Sequence, residues 1–459
     1  MASRPVVAQV EPGYLRKLLP CTIPEDGENF QEIVDDYQKF IIPGLTNWQH
    51  PSFFGYFPVA CTWEGIIGDI YAGSLFNPGF NWICSPACTE LEVIVMDWAA
   101  KMFGLSENFQ HSGCGGGVLQ ATASDSLLVA MVAARVRYVE EFPQINPSNF
   151  VIYVSSETHS LGLKNGRILG IEVRILNVEI TDDFALRGNT VRKAIQEDLA
   201  NGKIPFFLVA TVGTTSTGAV DRIDELGAIA REYFIWLHID AAWAGVALAC
   251  PEFRNLCQLD AINDFADSFC TNFHKWGLVN WDASTLWVRN KKHVTNALDV
   301  TPAYLRPIAR ENVMIEMRNW KIGLGSHFRA LKVWFVFRSY GVKGFQAHIR
   351  DDVALNVLFA SKIMLSPILS LVSPPSLALS VFRIALPLPN LRLDQLNKLN
   401  KCWYRRLASR ADIFVTHTEV GGIYCVRFAI GGQQTQAQHV LRAFEIIEQE
   451  AFAAVAGGL

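Results

Sequence analysis

Three residues of complementary chemistry stand where short apolar runs end. Lys275 lies in TNFHKWGLVNWD (271–282), an amine set between His274 and Trp276 just past the run SFCTNF. Asp240 closes WLHID and leads into Ala241-Ala242-Trp243, and His159 follows VIYVSS by way of Glu157 and Thr158. Taken singly, each has an ordinary structural use. A lysine can snorkel along an aromatic surface, and a strand-end aspartate can cap the next helix. A lysine and an aspartate at neighbouring strand ends amount to more than two separate caps, because open α/β sheets collect their chemistry at the carboxyl edges of strands. A fourth feature is GCGGGVLQATASD from Gly113, where Ser124 reads as the N-cap of a strongly apolar helix. A helix start with unpaired N–H groups binds anions. The stretch is neither a dinucleotide fingerprint nor a Walker loop. An amine to condense with an aldehyde, a carboxylate to keep a pyridine nitrogen protonated, an imidazole and a phosphate-binding helix start are together what pyridoxal 5'-phosphate requires.

The elements that must position these residues follow from periodicity. Strands are predicted at Val151–Ser155, Val173–Val178, Phe206–Thr211, Trp236–Asp240, Ser268–Asn272 and Ser284–Val288. A helix is predicted over Asp221–Phe234, with Ile223, Leu226, Ile229 and Ala230 on one face. Strands alternating with helices imply an α/β fold, a mostly parallel central sheet with helices on both faces. A helix over Phe328–Tyr340 then passes through Gly341 to a smaller C-terminal α+β domain with strands near Val381–Ala385 and Ile423–Phe428 and a last helix from Gln436. Residues 1–62, rich in turns and rings, read as an N-terminal arm that packs on a partner subunit. Residues 63–331 form the large cofactor-binding domain and 332–459 the small one.

Composition narrows the class. Half of the 459 residues are hydrophobic, enough for a large core, and the net charge is −4 with no Lys/Arg stripe, which speaks against a nucleic-acid partner. The ten cysteines show no CxxC pair and no metal-type spacing. They read as reduced, buried thiols of a cytoplasmic protein without a metal. MASRPVVAQVEPGYLRK has no sustained apolar segment of the secretory kind. MLSPILSLVSPPSLALSVF, from Met364, is broken by serines and Pro374-Pro375 and reads as two buried strands around a turn, not a membrane span.

HPSFFGYFP, SPACTELE, MDWAAKM, LHIDAAWAG, CPEFR, FHKWGLVNWD and WFVFRSYGVKGFQAHIR together resemble the aromatic L-amino-acid decarboxylases, the group II pyridoxal-phosphate decarboxylases, over nearly the whole chain. The resemblance implies fold type I (aminotransferase-like) and an obligate homodimer with shared active sites. By the same resemblance Lys275 bonds the cofactor, Asp240 pairs with its ring nitrogen, His159 stacks on the ring and meets the substrate carboxylate, and Ala242 packs on the opposite face. Ala123, Ser124 and Asn272 bind the phosphate with help from His274, and Thr215 supports the ring substituents. Trp48, Tyr56, Phe57, Pro58 and Val59 match the substrate-pocket stretch, Pro78 and Phe80 match residues donated by the other subunit, and Tyr304 matches a catalytic-loop tyrosine. Gly325 matches a pocket-wall position where glycine goes with indolic substrates. Several positions depart from the family pattern. EPGYL begins at Glu11, without the extra helix that commonly precedes it. The usual DAAY is DAAW with Trp243, the usual NPHK is NFHK with Phe273, and Val59 and Pro78 replace common pocket residues.

The expected activity is therefore decarboxylation of an aromatic L-amino acid, tryptophan or 5-hydroxytryptophan favoured over phenylalanine, tyrosine and dopa. The nearest alternative is an aromatic acetaldehyde synthase, which uses O2 and commonly has Phe where this chain has Tyr304. DAAW also occurs in decarboxylases of glutamate or cysteine sulfinate, but no additional arginine for a side-chain acid is evident. Histidine decarboxylases tend to carry Ser at the position of Gly325. A non-catalytic relative is the reading from another class, and the presence of every chemically necessary residue speaks against it.

Overall fold

The computed structural model describes residues 4–75, 77–300, 302, 315–385 and 392–457. The chain divides into two units, one of Val59–Ala354 with Ser373–Ala378 and one of Met1–Pro58, Leu355–Val372 and Leu379–Leu459. Both boundaries differ from those read in the sequence: the first falls at 58/59, not 62/63, and the second at 354/355, inside the helix Arg329–Leu365, not at 331/332. The N-terminal segment is not a separate arm throughout. Phe54 donates its N–H to the Phe414 carbonyl and accepts from Ala429 N–H with its own, which ties it to the small sheet. Pairing across so long a sequence separation leaves no local pattern to read.

In the larger unit seven strands form one sheet in the order β1-β7-β6-β5-β4-β2-β3. They are β1 (Gly116–Gln120), β2 (Phe150–Ser155), β3 (Glu172–Leu176), β4 (Ile204–Thr211), β5 (Trp236–Asp240), β6 (Ser268–Asn272) and β7 (Ser284–Val288). Pairing is parallel from β3 across to β6 and antiparallel at β7 and β1. The register decides what each face carries. Thr211, Asp240 and Cys270 stand side by side on one face, with Val209, His238 and Ser268 a layer below. On this face the helix Ala123–Glu141 buries Leu127, Ala130 and Ala134 against Val209, Trp236, Leu286 and Val288. Full burial of the leucines and valines among them contributes about 1.5–3 kcal/mol each. On the other face Trp287 meets Phe269 at 5.9 Å and Phe103 of the helix Pro86–Phe103 at 6.0 Å.

The glycine run that reads as a turn is in part the buried strand β1. A Cβ on Gly117 would lie 2.5 Å from Trp287 Nε1 and 2.6 Å from Met96 Cε, so glycine is required by close approach and not by chain reversal. The helix Ile223–Glu232 buries the four residues expected of it. The helix predicted over Phe328–Tyr340 does stop at Gly341, whose φ 58° and ψ 177° are not helical, and a second helix follows it directly to Leu365.

The smaller unit has an antiparallel sheet in the order β10-β11-β9-β8, with β8 (Leu369–Leu371), β9 (Leu379–Ile384), β10 (Thr416–Val420) and β11 (Ile423–Ala429). Phe428 lies between Phe54 and Phe359, its ring 4.0 Å and 3.8 Å from theirs. The helices Leu393–Ala408 and Ala437–Ala456 complete the unit, the second capped at Gln436. The apolar stretch from Met364 does supply two strands, but only β9 is buried throughout; in β8 Leu369 alone is. No helix of the described residues is long and apolar enough to cross a membrane. All ten cysteines remain thiols, but only five are buried, and Cys21, Cys84, Cys114 and Cys402 are exposed.

Candidate active site

The site begins at the N-terminus of the helix Ala123–Glu141. Its cap is Thr122, not Ser124: Thr122 Oγ1 accepts from Asp125 N–H (3.3 Å), and the Asp125 carboxylate accepts from Thr122 N–H (3.0 Å) and hydroxyl (2.8 Å). This capping box moves the helix start two residues earlier. Ala123 and Ser124 become its first residues, and no carbonyl lies a turn before their amides. Hydrogen bonds stitch this terminus to its surroundings. Asn165 Nδ2 donates to the Ser124 carbonyl (2.8 Å), Ser126 Oγ lies 3.4 Å from Ser284 Oγ, and the Ser284 hydroxyl donates to Asn272 Oδ1 (2.6 Å). Asn272 Nδ2 thereby keeps its hydrogens for another acceptor. His274 is buried, and its Nδ1 accepts from Ala283 N–H (2.9 Å). Burial and the charge of Lys275 push its pKa down to about 3, so it is neutral and carries its proton on Nε2.

Asp240 and Lys275 follow the adjacent parallel strands β5 and β6. Asp240 is 3 % exposed, and its Oδ1 accepts from Ala242 N–H at 3.0 Å, with Cys270 Sγ at 3.7 Å. The Ala242 carbonyl in turn accepts from Asn272 N–H (2.9 Å), locking the two strand ends together. Lys275, half-buried, lies in the short helical turn Phe273–Trp276. Trp276 beside it is buried, stacks on Trp243 with ring centroids 5.4 Å apart, and donates Nε1–H to Asp352 (2.8 Å). Trp243 in DAAW thus has a packing reason.

His159 is exposed, in the loop after β2. Its Nδ1 accepts from Leu161 N–H (3.2 Å), leaving the proton on Nε2. Partial desolvation holds its pKa below the ordinary imidazole value, opposed by Asp240 and reinforced by Lys275. It therefore lies within electrostatic reach of both. Thr215 is in the turn after β4, whose first residue, Val212, donates N–H to the Asp240 carbonyl (2.9 Å).

The substrate residues fall into three groups. Val59 precedes Ala60, whose N–H donates to the His274 carbonyl (3.2 Å). Pro78 and Phe80 line up with the 318–326 segment: the Pro78 carbonyl accepts from Ser326 N–H (2.8 Å) and that of Phe80 from Arg318 N–H (3.1 Å). A Cβ on Gly325 would lie 3.5 Å from the Pro78 carbonyl oxygen and 3.6 Å from Pro78 Cβ. Trp48, Tyr56, Phe57 and Pro58 belong to the smaller unit, where Trp48 stacks on Tyr56 at 5.7 Å and Phe57 lies under the Arg427 guanidinium at 4.9 Å. Tyr304 lies outside the described residues. The sequence reading missed Thr122, Ser126, Asn165 and Ser284. Only Ser284 left a signal: as first residue of a strand antiparallel to β6, it faces Asn272 in register.

A lysine and a carboxylate at adjoining strand ends, an imidazole on the loop after β2 that feels the charge of both, and an anion-binding helix start define a pyridoxal-phosphate site on a fold type I scaffold. The residues fit the group. Asn272 Nδ2, His274 Nε2–H and the first helical amides are all donors, as a phosphate requires, and the small side chain of Ala242 adjoins Asp240. Residues 12–385 match the pyridoxal-dependent decarboxylase conserved domain. The chain is 41 % identical over 459 residues to tyrosine decarboxylase 2 of Narcissus pseudonarcissus, covering 99 % of this chain and 91 % of that protein. It is 40 % identical over 451 residues to phenylacetaldehyde synthase of Arabidopsis thaliana, covering 97 % and 91 %. The crystal structure of Catharanthus roseus tryptophan decarboxylase with L-tryptophan superposes with a TM-score of 0.92 at 39 % identity, covering 99 % of this chain and 94 % of that one. The chain belongs to the pyridoxal-dependent decarboxylase family and is a carboxy-lyase that uses pyridoxal 5'-phosphate.

Proposed function

We propose that this chain decarboxylates an aromatic L-amino acid to the arylalkylamine and CO2, with tryptophan or a hydroxytryptophan preferred, and that it works as a cytoplasmic homodimer with shared sites. The observation that carries this reading is the parallel pairing of β5 and β6, which sets Asp240 and Lys275 at adjoining strand ends, together with the His159 imidazole on the loop after β2. Such a ring can lie against the cofactor and offer Nε2–H to the substrate carboxylate, standing the Cα–carboxylate bond across the cofactor plane. The relatives named above act on, or form products from, amino acids with aromatic side chains, which supports the substrate class. The ordinary van der Waals spacing around a Cβ at Gly325 supports room for a second ring.

Pyridoxal phosphate, when bound, supplies the electron sink for the pair left at Cα as CO2 departs. The chain's residues do the rest. Lys275 Nζ anchors the cofactor. The Asp240 carboxylate holds a proton at the ring nitrogen, and each 1.36 kcal/mol of stabilisation it adds in the transition state is worth about tenfold in rate. Ala123 and Ser124 amides, Asn272 Nδ2 and His274 Nε2–H hold the phosphate, Thr215 supports the ring substituents, and Ala242 fills the face away from His159. Trp48, Tyr56, Phe57, Pro58 and Val59 surround the substrate ring, with Pro78 and Phe80 from the partner subunit. Tyr304 delivers a proton to Cα.

The second reading, an acetaldehyde synthase, is favoured by the 40 % identity to phenylacetaldehyde synthase. In that reaction O2 and water are consumed, and aldehyde, CO2, ammonia and hydrogen peroxide leave. The two readings part at Tyr304. Amine, aldehyde and peroxide should be measured for wild type and Tyr304→Phe on tryptophan, tyrosine, phenylalanine and dopa. Amine from the wild type, turning to aldehyde and peroxide in the variant, is expected. Aldehyde as the main wild-type product establishes the synthase instead, and tyrosine exceeding tryptophan tenfold in kcat/KM overturns the indole preference.

A further inference from the structure

Beside and beneath Asp240, on the same sheet face, are two buried polar atoms that none of the roles above uses. Thr211 is the in-register neighbour of Asp240 on β4, and His238 lies two residues before Asp240 on β5. His238 is fully buried, with Nδ1 2.7 Å from Ser268 Oγ. That oxygen already accepts Trp236 Nε1–H (2.8 Å), and among the described residues its hydroxyl has no acceptor but His238 Nδ1, so its proton goes there. The imidazole, kept neutral by a pKa that burial pushes down to about 4, therefore carries its hydrogen on Nε2. Nε2 has no hydrogen-bond partner among the described residues, and neither has Thr211 Oγ1. A buried polar group without a partner destabilises the fold, whereas an apolar side chain of the same shape would not.

The charged group between them is Asp240. Its charge acts on the His238 ring, while Ala242 N–H and Cys270 Sγ both address only its Oδ1. The other buried carboxylate nearby, Asp221, spends its oxygens on the amides of Leu186 and Thr211, at 2.7 Å each. Same-face residues along a strand stand about 7 Å apart, a span that one water with hydrogen bonds of about 2.8 Å bridges.

We propose that Thr211 and His238 are positioning residues for Asp240: they share one buried water, which accepts from His238 Nε2–H, bonds the Thr211 hydroxyl and donates to Asp240 Oδ2, fixing the carboxylate toward the cofactor nitrogen. The inference rests on the role given to Asp240 above. It is tested on the apoenzyme by titrating pyridoxal phosphate with fluorescence detection and by measuring apoenzyme Tm. Thr211→Val keeps the shape and removes the hydroxyl. It should weaken cofactor binding about tenfold, the worth of one buried hydrogen bond to a charged group, while leaving Tm unchanged or raised. Thr211→Ser should restore wild-type affinity. His238→Phe should show a similar loss, and the double variant should fall no further than the weaker single, since one water serves both. Thr211→Val binding within about twofold of wild type, or single losses that multiply in the double variant, overturns the shared water. Asp240→Ala is run in parallel. If it too binds and turns over like wild type, the role of Asp240 is what fails, and the cradle falls with it.

Discussion

Lys275 owes its position to the residue after it. Trp276 is fixed on both sides, by the Trp243 ring and by Asp352, so the helical turn Phe273–Trp276 cannot rotate without breaking a buried indole hydrogen bond. The amine one residue earlier is thus delivered to the end of β6 by packing, and removing it leaves that packing untouched. Lys275→Ala should fold with wild-type apoenzyme Tm yet lose both the visible absorbance of covalently held cofactor and the label that borohydride reduction fixes. Retention of either would show that another amine does the anchoring. The same logic explains what the sequence displayed here. Lys275, Asp240 and His159 were legible because reactive side chains at the ends of apolar runs stand out. Ser126 and Asn165 were not, because each is an ordinary polar residue inside a helix and takes its meaning from a partner far along the chain.

At the scale of elements, β5, β6 and β7 were legible residue for residue, since fully buried strands read as unbroken apolar runs. β1 was not, because its glycines mimic a turn while in fact making room for Trp287 and Met96. Gly117→Ala tests that account: a methyl group forced to 2.5 Å from the indole should cost about 1–3 kcal/mol in denaturant unfolding, a typical overpacking penalty. No change would mean the strand shifts freely. The strut from Trp276 to the helix Arg329–Leu365 makes a prediction of its own. Burial pushes Asp352 up to about 7 from an ordinary 3.8, Asp351 adding to the shift, and the facing His348, itself driven to about 4, stays neutral. Between pH 4 and 7 the unfolded chain has lost this proton and the folded chain has not. The stability due to Asp352 is therefore complete below about pH 4 and drains as pH rises toward 7. Asn at this position keeps an acceptor for Trp276 and does not titrate. The unfolding free energy of Asp352→Asn relative to wild type, read by denaturant titration, should climb from pH 4 to 7 and then level off, by up to about 4 kcal/mol at 1.36 kcal/mol per unit. A difference flat across that range would show that Asp352 is ionised in the fold.

At the scale of the molecule the surface is unfinished. The helix Trp63–Ser74 presents Trp63, Ile67, Ile70 and Tyr71 outward at helical spacing, Trp63 at 75 % and Ile70 at 63 % exposure, and Leu75 follows at 71 %. In the smaller unit, taken by itself, Ile23 and Phe30 are exposed, and the helices Tyr14–Leu18 and Phe30–Asp36 have no buried residue. Exposed apolar side chains at this spacing support the homodimer proposed above, and a two-fold axis is the simplest closure for two identical chains. Pro78 and Phe80 come directly after the Trp63–Ser74 helix, so the same surface would carry them to the partner's site. Ile70→Asp, a charge placed in the patch, should shift the protein from dimer to monomer in sedimentation and lower turnover with it. The sharing of sites is tested by mixing two damaged chains. Lys275→Ala has an intact Phe80 but no anchoring amine, and Phe80→Ala has the amine but lacks the ring it lends. If Phe80 serves the other subunit, one site of each mixed dimer draws Lys275 from one chain and Phe80 from its partner, and is whole. Random mixing makes about half of the dimers mixed, with one competent site in two, so about a quarter of wild-type turnover should appear above the residual activity of Phe80→Ala. If Phe80 serves its own chain, no site in the mixture gains what it lacks, and turnover stays at the average of the two parents.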